Sequence, residues 1–171
     1  MKRIILVLLV FCSFVSCKNE DKQIDAEEVT HETSESIETI KKQSVAELKA
    51  KLIEEGFQIF DYVDEKTQDT VIMQQYFIAF LKRGPIRNQN EEEATKLQSE
   101  HLAHLGKMYE LGYADISGPF GDDGDIRGIT IYNVPTLKMA DSLANADPMV
   151  KAGRLIIELH PWWAAKGFPL R

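Results

Sequence analysis

The sequence predicts one α+β domain in which strands and helices alternate as βαββαβ, preceded by a further helix and strand. Three observations carry this. Apolar residues recur with a period of two around residues 71–83, 126–134 and 154–160, but at 3.6-residue spacing in 91–111 and 136–146. Turn residues stand between these stretches: Gly84-Pro85, Gly112, Asp123-Gly124 and Asp147-Pro148. Residues 18–43 share neither pattern.

The folded part opens with "SVAELKAKLIEEG", where Ser44 and Glu47 fit a capping box and Val45, Leu48, Leu52 and Ile53 share a helix face. Gly56 fits the helix stop. "FQIFDYV" reads as a strand, "DEKTQD" as a turn, and "TVIMQQYFIAFLK" as a longer strand. Tyr76, Ile78 and Phe80 point one way along it, Phe77, Ala79 and Leu81 the other. A strand apolar on both faces is covered on both. After the loop "RGPIRNQ", Asn90 caps a helix with three glutamates in its first turn, running to about Leu111. "YADISGPF" and "IRGITIYNV" are strands joined by "GDDGD". "TLKMADSLANA" is a helix with Leu137, Ala140, Leu143 and Ala144 inward. "RLIIELH" is the last strand and "PWWAAKGFPLR" a tail. From residue 71 this order is the ferredoxin-like pattern. Two helices cover only one sheet face, so a bare apolar face remains, and face-to-face homodimerisation is expected to bury it.

The first residues give an address. "MKRIILVLLVFCSFVSC" has Lys2 and Arg3 before an apolar stretch too short to span a membrane, the build of a signal peptide over 1–16. "FVSC" resembles a bacterial lipobox, so Cys17 is the expected lipidation site and the protein an exported lipoprotein of the outer membrane or cell surface. Residues 17–43, rich in Glu, Lys, Ser and Thr and without an aromatic residue, read as a disordered tether. His31 in this stretch carries no catalytic weight. Residues 44–70 form the helix–strand extension and 71–171 the ferredoxin-like domain. With Cys12 in the leader and Cys17 lipidated, no thiol nucleophile or disulfide remains. The formal charge of −7, which becomes −9 without Lys2 and Arg3, excludes nucleic acid as an expected partner.

Few side chains suggest chemistry. Ala94, Leu97, His101, Leu105 and Met108 form one helical stripe with His101 in its middle and His104 on its edge. Periodicity alone reads His101 as a core histidine bonded to a carbonyl, and His104 as a flanking or partly exposed group. Asp147 before Pro148 reads as a helix cap. His160, Trp162 and Trp163 read as an interface or pocket-rim cluster, and Arg83 and Arg127 as strand-end charges able to meet an anion. No metal is expected, because no three or four ligands are fixed in convergence. No glycine-rich phosphate loop or serine elbow calls for a cofactor or an acyl-enzyme.

From residue 76 onward the chain resembles the YCII-related domain family, on "YFIAFLKRGP", "HLAHLGKMYELG", "ISGPFGDDGDIRGITIYNV", "ADPMVKAGRLIIELHPWW" and "AAKGFPL". The resemblance implies a dimeric α+β barrel of ferredoxin-like subunits with a His–Asp active site in a small pocket. It places His101 where the family's helix histidine stands and Asp147 where its aspartate stands. The implied function is a cofactor-free enzyme in which His101 moves a proton and Asp147 orients it. The substrate is a small cyclic or aromatic organic molecule, and the reaction an isomerisation, elimination or hydrolysis. His104, His160, Arg83 and Trp162 are the expected substrate contacts. The alternative is a non-catalytic, lipid-tethered dimer that binds a small ligand or serves a structural role.

Overall fold

A computed structural model describes residues 44–168. The expected leader, the tether with His31, and Cys17 lie outside these residues.

Helix α1 (Val45–Glu54) begins at Ser44, whose hydroxyl accepts from the Glu47 N–H while the Glu47 carboxylate takes the Ser44 N–H, completing the capping box. Strand β1 (Ile59–Val63) follows, then the 14-residue strand β2 (Thr70–Arg83). Helix α2 (Glu91–Glu110) is capped in the same reciprocal way by Asn90 and Glu93. Strands β3 (Ala114–Pro119) and β4 (Ile126–Tyr132), helix α3 (Leu137–Asn145), the single-turn helix α4 (Pro148–Lys151) and strand β5 (Leu155–Ala165) complete the domain.

All strand pairings are antiparallel. The order β3-β4-β2-β5 places the first and last strands of the βαββαβ unit side by side, so the domain is α+β with ferredoxin-like topology. Strand β2 organises the sheet. One of its edges is taken along residues 73–83 by β5, and the other by β1 (70–74) and then β4 (77–82).

Helices α2, α3 and α4 lie on one face, over Phe77, Ala79 and Leu81 of β2, which pack with Met108, Tyr132, Ala140, Ala144, Met149 and Leu155. Fully burying such a side chain contributes roughly 1.5–3 kcal/mol. The other face carries Tyr76, Ile78, Phe80, Ile131, Ile156 and Trp162, with Ile156 and Trp162 substantially exposed.

Two local expectations are corrected. The last strand does not stop at His160: "PWWAA" continues it, because β2 is long enough to pair every residue from Arg83↔Leu155 to Met73↔Ala165. Pro161 is tolerated because β5 is an edge strand among the described residues. Leu137 does not face the core but is 47% exposed. It opens the first turn of α3, directly after the cap Thr136, while Ala140 and Ala144 are buried in the core and Leu143 packs against it.

Candidate active site

Two elements bring the site together. In α2, His101 is buried with Met108 on the stripe facing the core. Beyond α3 the chain turns at Asp147, which caps α4: its Oδ1 accepts the Met149 N–H at 2.8 Å, and Pro148 occupies the first helical position, where a missing N–H costs nothing. The other oxygen, Oδ2, stands 2.6 Å from His101 Nδ1. Asp147 is 2% exposed and His101 9%.

A carboxylate offers only acceptors, so the proton in this bond sits on Nδ1. The neutral imidazole then carries its lone pair on Nε2. That atom has no protein hydrogen-bond partner among the described residues and is not sealed in the core. It opens on a cavity of about 370 Å³ between α2, the β3–β4 hairpin and the start of β5. Leu81, Leu102, Leu105 and Met149 supply its apolar wall, and Arg87, Arg127 and Arg154 its charge. Desolvation, followed by the positive charges of Arg154, Arg83 and Arg127, holds the Arg87 guanidinium below its ordinary pKa.

The other expected contacts lie elsewhere. His104 shares the helix face but turns away from the cavity, its Nε2 3.1 Å from the Leu143 carbonyl oxygen. Burial pushes its imidazole pKa down. His160 is on the opposite sheet face, with Nε2 2.8 Å from Glu158 Oε1 and its ring edge-on to Phe80. Trp162 is on that face too, its ring centroid 6.2 Å from that of Tyr76. With Tyr76, Ile131 and Lys166 it lines a separate depression of about 610 Å³. Arg83 donates to the Asp123 carbonyl at 3.4 Å and does not line the His101 cavity. Among the described residues, no three His, Cys, Asp or Glu side chains are grouped to hold a metal ion.

The sequence pointed to Arg127 as a strand-end charge able to meet an anion, and passed over Arg87 and Arg154. No local pattern marks the first two. The backbone brings them together: Gly84 N–H donates to the Arg154 carbonyl at 2.8 Å, Ile86 N–H to Gly153 at 3.0 Å, and Arg87 Nη1 to the Arg154 carbonyl at 3.1 Å.

Residues 77–162 match the model of the YCII-related domain. The chain belongs to that family. His101, Asp147 and all three cavity arginines fall within the matched span, so the site lies inside the YCII-related domain and not in the extension before it. No protein of curated function matches the chain. Among solved structures, it is similar to a 5-chloro-2-hydroxyhydroquinone dehydrochlorinase from Burkholderia phenoliruptrix, in complex with 2,5-dihydroxybenzoquinone, at 22% identity and a TM-score of 0.39. The likeness covers 51% of this chain and 92% of that one.

Proposed function

We propose that this YCII-related domain is a cofactor-free general acid–base enzyme acting on a small cyclic or aromatic organic molecule. The 2.6 Å contact between His101 Nδ1 and Asp147 Oδ2, beside a cavity that His101 lines, carries the reading. Asp147 fixes the tautomer and stabilises the imidazolium that forms when Nε2 takes a proton. The base therefore faces the cavity and its counter-charge faces the core. Nε2 abstracts a proton from a C–H or O–H of the bound molecule. Returned to another atom of that molecule, the proton completes an isomerisation. Passed to a group departing with its electron pair, it completes an elimination. Such catalysis contributes about 10²–10⁴-fold in rate.

The test is proton exchange in D₂O by purified protein on a panel of small cyclic and aromatic acids. Wild type accelerates exchange or conversion of at least one member, and His101→Gln loses the acceleration. If neither protein moves a proton while a panel member still binds, the domain is a binding module.

Two further parts of the reading concern assembly and address. A second copy covers the uncovered sheet face around Ile156 and Trp162, whose exposure supports pairing. Lipidation of Cys17 would hold the domain at the outer membrane or cell surface. Retention of wild type in the membrane fraction, and release of Cys17→Ser from it, tests the anchor.

A further inference from the structure

We propose that Arg87, Arg127 and Arg154 form an anion subsite beside His101, and that the molecule taken there is a small carboxylate with an apolar body. The inference names the substrate class for the acid–base reading above and rests on that reading for its chemistry, though not for binding.

The chain is acidic, with a formal charge of −7, yet among the described residues no Asp or Glu lines this cavity and three arginines do. The Asp147 carboxylate behind His101 is engaged by His101 and the Met149 N–H. Most partners of the guanidiniums are neutral. Arg87 Nη1 donates to the Arg154 carbonyl at 3.1 Å, and Arg154 Nη1 to Gln89 Oε1 at 2.8 Å. Arg127 Nη1 donates to the carbonyls of Asp122 at 3.3 Å and Gly124 at 3.1 Å. The one acidic contact among the described residues is loose: Arg127 Nη2 lies 3.6 Å from Asp123 Oδ1, on a fully solvent-exposed side chain. Arg154 Nε is buried and has no partner among the described residues. A buried, unpaired donor is unfavourable, and the Arg154 guanidinium would gain by turning this N–H toward an anionic oxygen in the cavity.

A guanidinium fork matches the two oxygens of a carboxylate. Among the described residues no lysine lines the cavity, and the Asp147 carboxylate already caps α4, so a phosphate would meet neither a lysine nor a free helix N-terminus and would compete only for the same guanidiniums. The apolar wall suits a ring or short hydrocarbon body. Guanidiniums beside the carboxylate would also stabilise the negative charge that develops when His101 removes a neighbouring proton.

The experiment is an NMR titration of the purified full-length protein with benzoate, with its neutral counterpart benzyl alcohol, and with inorganic phosphate. The Arg154 Nε–H, the His101 ring and the Trp162 indole report. Benzoate should give saturable shifts at Arg154 and His101 but not at Trp162, and benzyl alcohol should bind about tenfold more weakly or not at all. Arg127→Gln and Arg154→Gln should each weaken benzoate about tenfold, as expected for one charge-assisted hydrogen bond, with Arg154→Lys intermediate. Dispersed amide spectra of each variant check the fold. The inference is overturned by the absence of saturable shifts, by equal affinity for the acid and the alcohol, by unchanged affinity in the arginine variants, or by phosphate displacing benzoate with the higher affinity. His101→Gln separates the two readings. If it binds benzoate while wild type moves no proton, the subsite stands and the acid–base reading fails.

Discussion

Asp147 holds His101, 46 residues away in sequence, with one carboxylate oxygen, and starts a helix with the other. Both ends of its work are buried, so removing either partner leaves a polar group without compensation. His101→Leu places a leucine where the helix stripe favours one, yet it should destabilise the fold by about 3 kcal/mol because the Asp147 carboxylate loses its partner. Adding Asp147→Asn should recover much of that loss. A urea double-mutant cycle on the two residues measures the coupling, and simple additivity would mean the pair is not a unit.

The two roles of Asp147 can be separated. Asparagine is as good a helix cap as aspartate, so Asp147→Asn should keep the Met149 contact while removing the charge that supports the imidazolium. Asp147→Ala loses the cap as well, at a further cost of about 1 kcal/mol. Thermal unfolding should rank wild type, Asn and Ala in that order, and both variants should be inactive in proton exchange. Equal activity of wild type and Asp147→Asn would remove the carboxylate from the chemistry.

His104 adds a pH dependence of its own, set first by burial and then by the neighbouring Asp147 charge. Burial holds its folded pKa below the ordinary 6.5, so the unfolded chain binds the proton more readily. Its contribution is complete above that ordinary value and is lost as pH falls through the lower folded one. His104→Gln keeps a side-chain amide to meet the Leu143 carbonyl and removes the titration. The variant's urea midpoint should fall less steeply than that of wild type on acidification from neutrality, and parallel curves would contradict this.

Gly84 shapes the cavity mouth without lining it. A Cβ at this position would stand 2.6 Å from the Arg154 carbonyl carbon, against backbone that cannot swing aside. Gly84→Ala should cost about 1–3 kcal/mol and displace Arg154. Denaturant melts and the benzoate titration report the two effects, and a neutral substitution would mean the contact is easily relieved.

The uncovered sheet face gives a test of assembly. Trp162→Asp puts a charge on each copy of the proposed interface. Sedimentation should show a dimer for wild type and a monomer for the variant, while a monomeric wild type would remove the dimer from the account.

The parts of this structure set by local patterns were legible in the sequence. The capping box stands where Ser44 and Glu47 place it, Asn90 caps its helix as expected, and the His101 stripe is the stripe that packs. Asp147-Pro148 read as a cap and is one. What depended on partners was not legible. Pro161 marks a strand end until β2 is known to run beside it. Arg87 and Arg154 meet only because the loop after β2 bonds to the Gly153–Arg154 backbone, which no spacing announces. His160 and Trp162 share a strand with the cavity-lining Leu155, but alternation along β5 turns them to the other face.

The most direct measurement of the central claim is a long-range ¹H–¹⁵N spectrum of the His101 imidazole at neutral pH, in wild type and in Asp147→Asn. Wild type should show a protonated Nδ1 and a lone pair on Nε2, with that preference lost in the variant. An Nε2–H tautomer in wild type would leave no base facing the cavity and would contradict the account.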